Sequence, residues 1–158
     1  MKKIFFLILL LLSTIATAKL HHDPSQLTQF QKTGKCESCD FTDAVVNTKV
    51  QPPFDLWHAN LSGATVEMKN NTLSDYTLVT AIKTNFSYQD YSKVSFVNAV
   101  LIDAVFVGAD LTYTNFAGAT VTDANFSNAD LYGSQGINIK EVYSVCNAIL
   151  PDGSRGHC

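Results

Sequence analysis

Charge and reactive side chains are both scarce in this sequence: 16% of its 158 residues are charged, and there are four histidines, four cysteines, four prolines and one tryptophan. No run of like charge occurs, which excludes a basic arm or a nucleic-acid footprint. One Cys-x-x-Cys is present, Cys36 and Cys39, with no second copy to complete a zinc site and no following His for haem attachment. Beyond the first dozen residues no apolar run approaches the roughly 20 needed for a membrane helix.

The amino terminus has a layout of its own. Lys2 and Lys3 precede an unbroken apolar run from Ile4 to Leu12, and Ala16-Thr17-Ala18 is a small-x-small cleavage signal. This is the pattern of a secretory signal peptide over 1–18, with the exported chain starting at Lys19. Removing Lys2 and Lys3 leaves nine basic against fourteen acidic residues, a net charge of −5. That mild acidity argues against general binding to nucleic acid or anionic lipid. No cofactor is indicated, and no integral membrane segment remains after cleavage. In an exported protein Cys36, Cys39, Cys146 and Cys158 suggest disulfides, with three connectivities open. Cys36–Cys39 and Cys146–Cys158 are favoured, each pair being close in sequence and the two lying at opposite ends.

Between those ends the sequence repeats every five residues. Every fifth position from Leu56 to Leu131 is apolar or aromatic except Asn71, and two positions earlier runs a second series of mostly small residues. The cleanest blocks are Ala109-Asp110-Leu111-Thr112-Tyr113, Ala124-Asn125-Phe126-Ser127-Asn128 and Ala129-Asp130-Leu131-Tyr132-Gly133. Nineteen consecutive blocks from Cys39 to Gly133 keep one frame. In an α-helix such a series smears around the whole cylinder, and in a flat strand it alternates between faces. Only a chain that turns a corner once per block keeps every large residue inside, and four right-angled corners close a coil of about twenty residues.

This pattern resembles the pentapeptide repeat family: a small residue, Asp or Asn, Leu or Phe, then two mostly polar residues. Cys36-Glu37-Ser38-Cys39-Asp40-Phe41 is similar to the family's entry segment, and Cys146 to Gly153 followed by Cys158 to a closing segment. The resemblance implies an all-β fold, a right-handed quadrilateral β-helix of about four to five coils. The expected layout is a leader and helical cap over 19–38, the β-helix over 39–136 and a C-terminal cap over 137–158. Asp23-Pro24 reads as a helix start and Gly34 as its stop.

Residues twenty apart form the columns of such a coil. Val46, Val66, Phe86, Phe106 and Phe126 make one apolar ladder, and Phe41, Leu61, Ala81, Leu101 and Val121 another. The column Gln51, Asn71, Tyr91, Leu111, Leu131 begins polar, and its small-residue partner begins Lys49, Lys69, Gln89. A buried unpaired lysine is costly, so 49–53 and 69–73 are expected to bulge out as loops, with a ligand-holding notch as the functional alternative.

No catalytic constellation emerges. His21, His22 and His157 lie towards the ends, and no motif places a nucleophile beside His58. Asp40, Asp75, Asp90, Asp110 and Asp130 recur where the repeat favours Asp or Asn, so they are structural rather than paired acids. Two outward features stand above background: Trp57, and the run Val97, Val100, Ile102, Val105 and Val107, a candidate apolar surface for a protein partner or a homodimer. The expectation is an exported, non-enzymatic structural or protein-binding module. The family resemblance implies an alternative, a DNA-mimicking protein that binds topoisomerase (gyrase), which the leader and Lys69, Lys83 and Lys93 speak against. A thiol-disulfide role for Cys36 and Cys39 is a third reading, with no activating base in view.

Overall fold

The computed structural model describes residues 22–68 and 70–158; the expected signal peptide at 1–18, residues 19–21 and Lys69 lie outside them. The chain opens with helix α1 (Pro24–Thr33). Asp23 caps it by accepting the Ser25 N–H at 2.8 Å, Pro24 takes the first turn where no N–H is needed, and Gly34 ends it at φ +68°. The same Ser25 bonds hold the Asp23 carboxyl below the usual carboxylate range.

From Lys35 the chain winds as a parallel solenoid. On one side, bridges join Lys35 to Asp55, then Asp75, Ser95, Asn115 and Gln135, each step twenty residues. The other three sides repeat the step, and only β1 (Val45–Val46) and β2 (Thr65–Val66) lengthen into a paired strand. We call the sides after one member of each inward column: the Leu101, Phe106, Leu111 and Phe96 faces. The final coil is one residue short, since Asn125 pairs with Ser144 and Asp130 with Ile149. An antiparallel bridge from Ile149 to Arg155 and the Cys146–Cys158 disulfide follow.

Each block turns by the same device. The N–H three residues after the large inward residue returns to its carbonyl, as from Ala109 to Phe106 at 3.1 Å, and the fifth residue of the block sits at positive φ. This is type II turn geometry. From Ser38 to Gly133 every fifth-position residue adopts it except Thr48, Pro53 and Met68. None of the side chains that do is β-branched, which is the class this conformation tolerates least. The Asp or Asn of the block steadies the turn from outside. Its side chain accepts the N–H two residues on, as in Asp110 to Thr112 and Asn125 to Ser127, both at 2.9 Å.

Inside, the columns stack. Phe86, Phe106 and Phe126 lie nearly parallel at 4.8 and 5.0 Å between ring centres, and Phe96 and Phe116 at 5.5 Å. Each such fully buried ring contributes about 1.5–3 kcal/mol before entropy is subtracted. The Phe30 ring of α1 closes the lower end against Phe41 and Phe54.

One sequence expectation is corrected. Residues 70–73 do not bulge: Asn70 bridges to Asp90, Asn71 is buried, and Leu73 makes the regular corner. The reason is that Asn71 is satisfied inside, donating from Nδ2 to the Met68 carbonyl at 2.6 Å and accepting the Tyr76 hydroxyl at 2.7 Å. A polar residue at an inward position therefore stays in the coil when its neighbours offer both partners.

Candidate functional site

Outward chemistry differs from face to face. On the Leu101 face the second and fourth positions of three successive blocks are Thr80 and Ile82, Val100 and Ile102, Thr120 and Thr122, all uncharged, while the exposed fifth positions at its edge are Lys83, Asp103 and Asp123. On the Leu111 face Asp90, Asp110 and Asp130 stand in one column, rung above rung, so carboxylates repeat about every 4.8 Å. Over these coils the rod thus carries one side uncharged along its strand positions and another with an aligned acidic column.

The sequence-derived apolar surface distributes over three faces. Val97 belongs to the Phe96 face, Val100 and Ile102 to the Leu101 face, and Val105 and Val107 to the Phe106 face, all half-buried between neighbouring rungs. They form a belt around one coil, not one flat patch. Trp57 is exposed on the Phe96 face, its ring 5.5 Å from the His58 imidazole. Larger exposed groups that the five-residue pattern does not single out are Tyr88, Tyr113, Tyr132 and Tyr143. Three of them occupy fourth and fifth positions of their blocks, where any side chain is compatible with the code.

Stacking also brings Ser38 within 3.3 Å of His58 Nδ1, twenty residues away. Both residues are exposed, and no carboxylate orients the ring among the described residues, so the pair lacks the third group of a nucleophilic triad. The two disulfides pair Cys36 with Cys39 and Cys146 with Cys158. Cys36 and Cys39 are buried under α1, whereas a thiol-exchange site needs an accessible sulfur.

Among the described residues the coil breaks between Thr48 and Phe54. Thr48 and Pro53 cannot readily take the positive φ of a corner, and the segment between them leaves the ladder; its Pro52–Pro53 peptide is cis. Thr48 donates instead to the Gln31 carbonyl of α1 at 2.9 Å, and Phe54 N–H donates to Ser74 Oγ at 2.8 Å. A hollow of about 360 Å³ opens between this loop and the next coil, lined by residues that include Lys49, Val50, Gln51, Glu67, Met68 and Asn70. Behind it the interior is polar. Tyr76 and Tyr91 are fully buried, and burial pushes both phenols well above the ordinary tyrosine value. The Tyr91 hydroxyl has no hydrogen-bond partner among the described residues.

Comparison with known proteins places this architecture. A family model for pentapeptide repeats matches eight copies over residues 82–112 and 109–135. No curated protein matches the sequence. Among solved structures, HetL from the cyanobacterium Nostoc sp. strain PCC 7120, a pentapeptide repeat protein involved in heterocyst differentiation regulation, is similar at 22% identity and TM-score 0.48. The match covers 77% of this chain and 51% of HetL, so the chain spans about half of HetL's length. A pentapeptide repeat protein of the Arabidopsis thaliana thylakoid lumen is 26% identical, at TM-score 0.31 over 58% of this chain and 61% of its own. QnrB1, a plasmid-mediated fluoroquinolone resistance protein, is 20% identical, at TM-score 0.33 over 75% of this chain and 58% of its own. Pentapeptide repeat proteins fold as right-handed quadrilateral β-helices and are generally non-enzymatic structural or binding proteins. Residues 82–135 match the pentapeptide repeat model, and the five-residue frame, the corner at each fifth position and the twenty-residue rungs carry the same pattern back towards the amino end.

Proposed function

We propose that this protein is an exported, non-enzymatic module that presents the sides of a rigid rod to another protein. The observation that carries this reading is the division of the rod into a face whose strand positions Thr80, Ile82, Val100, Ile102, Thr120 and Thr122 are uncharged and an acidic column of Asp90, Asp110 and Asp130. Flat, rigid surfaces of fixed chemistry favour recognition, because little side-chain freedom is lost on contact. In this reading the coils over 39–136 supply the faces. Helix α1 shields the lower core, the segment 137–158 closes the upper end, and Cys36–Cys39 and Cys146–Cys158 pin both in an oxidising compartment. Export rests on the Lys2-Lys3 start, the Ile4–Leu12 run and the Ala16-Thr17-Ala18 signal.

The second reading, a DNA mimic for gyrase, draws on the same acidic column. It is disfavoured by the exposed Lys93 on the same face, by the exposed Lys83 at the edge of the Leu101 face and by the confinement of aligned carboxylates to part of the circumference, since DNA carries one sign of charge along its whole length.

Fractionation of cells making the full-length chain, with intact mass of the product, separates the two. Product outside the cytoplasm with the mass expected for a start at Lys19 supports the exported module, and cross-linking from the uncharged face then identifies the partner. Full-length product retained in the cytoplasm and recovered with gyrase overturns it.

A further inference from the structure

The break at Thr48–Phe54 removes one rung of the ladder, and the coil above it is left with main-chain groups that lack protein partners. Two coils higher the same rung is complete: Asp110 N–H donates to the Gln89 carbonyl at 3.0 Å, and Tyr91 N–H donates to the Asp110 carbonyl at 2.7 Å. Asp130 makes the same pair with Ala109 and Leu111 at 3.0 and 2.7 Å. At Asn70, the equivalent residue, neither the N–H nor the carbonyl has a main-chain or side-chain partner among the described residues, and the same holds for the carbonyls of Glu67 and Thr72. Their counterparts on the coils above accept bonds from the rung below, as the Ser127 carbonyl does from Gly108 and the Thr112 carbonyl from Lys93.

Glu67 and Asn70 both line the 360 Å³ hollow. The opposite wall is the 48–54 loop, held down by α1 through Thr48 and Gln31 and unavailable to the rung above. The hollow is at the small end of the roughly 300–1,000 Å³ typical of ligand sites. Its exposed main-chain groups have the spacing of a strand edge, not of a site aimed at a single functional group. Main-chain edges of this kind take extended peptides by strand addition.

We infer that this hollow is a docking site for an extended peptide segment of a partner protein, which completes the missing rung at Asn70. One residue of the segment accepts the Asn70 N–H through its carbonyl. The residue two further on donates its N–H to the Asn70 carbonyl, as Gln89 and Tyr91 do for Asp110. Lys49 and Glu67 flank the site with opposite charges, which favours a segment without strong net charge. The inference rests on the reading of the chain as a protein-binding module and names where and how it binds.

The test is amide exchange on the full chain, followed by panning of a random heptapeptide display library on the same immobilised protein. A control variant restores the repeat code across the break (T48N, K49A, V50D, Q51L, P52T and P53N). It gives Asn70 a rung to pair with and keeps every other face intact. The Asn70 amide is expected to exchange on the order of a hundredfold faster than those of Asp110 and Asp130. Enriched peptides should slow exchange at Asn70 and fail to bind the control variant. An Asn70 amide as protected as Asp110 in the free protein overturns the inference. So does the absence of any enriched peptide, or equal binding of peptides to the control variant. A natural partner that still cross-links to the control variant overturns this site while leaving the binding module standing.

Discussion

Tyr113 covers Gly133, one coil further on. A β-carbon placed on Gly133 would meet ring atoms Cδ1 and Cε1 of Tyr113 at 2.7 Å, and the backbone there is at φ +71°. Tyr88 and Gly108 repeat the relationship on the neighbouring corner, again at 2.7 Å. Fifth-position side chains lean along the axis onto the corner of the next coil, so a large ring is accommodated where its successor has none.

Gly133→Ala therefore faces both left-handed backbone strain and a displaced tyrosine ring. The expected loss is about 1–2 kcal/mol of stability. Combining it with Tyr113→Ala should recover the part due to the ring and leave the part due to the backbone. Chemical denaturation of the two single variants and the double variant measures the split. A loss unchanged by Tyr113→Ala would show that the ring moves aside freely.

Tyr76 and Tyr91 should respond oppositely to loss of their hydroxyls. Tyr76 donates to Asn71 Oδ1, so Tyr76→Phe strands a buried acceptor and is expected to cost about 1–3 kcal/mol. The Tyr91 hydroxyl is buried with no partner among the described residues, so Tyr91→Phe is expected to stabilise by about 1 kcal/mol. Thermal unfolding of the two variants side by side decides this. A stability loss in Tyr91→Phe would mean that its hydroxyl is satisfied in solution.

Alkali should unfold the chain through the same two residues. Burial raises both phenol pKa values, so the folded state favours the neutral form while the unfolded chain ionises near pH 10. The stability held by neutral Tyr76 and Tyr91 is intact below that pH and falls as pH rises beyond it. Phenolate absorbance and circular dichroism recorded on one titration should show the last two tyrosines ionising together with loss of the fold. In Tyr76→Phe/Tyr91→Phe that coupled step should disappear.

Reduction should act on the upper end first. Cys146 and Cys158 close a loop with a sequence separation of 12 at the short last coil, and opening such a loop typically costs about 2–4 kcal/mol. Amides from Ser144 to Gly156 are expected to lose protection before those of Phe96 or Phe106. Uniform loss of protection along the rod would show that the end and the body unfold as one unit.

The body of the fold was legible because each block states the same local rule. A corner wants a small residue, an Asp or Asn to hold the next N–H, and a fifth residue free to take positive φ. Asp110, Thr112 and Tyr113 meet those needs within a few residues of chain. What was not legible depended on partners a coil away. Asn71 looked like an expelled residue, since nothing in the linear sequence says that Tyr76 and the Met68 carbonyl will receive it. The contact between Ser38 and His58 was invisible for the same reason, while the break at 49–53 was legible from Lys49, Gln51 and the Pro52-Pro53 pair at positions the repeat code does not allow. The valine and isoleucine run read as one patch because linear proximity around a corner does not mean a shared face.

The one-residue deficit between Asn125 and Ser144 alters how the rod can be read from outside. Below it, and outside the 49–53 loop, a residue's number modulo twenty gives its face and the number of whole twenties its height, so a surface pattern can be rewritten one outward position at a time with the core undisturbed. Above it the numbering slips, and a substitution chosen by the same arithmetic would land one position off around the coil. The rod is therefore an addressable lattice with one slip in its numbering among the described residues, and grafted binding patterns belong below that line.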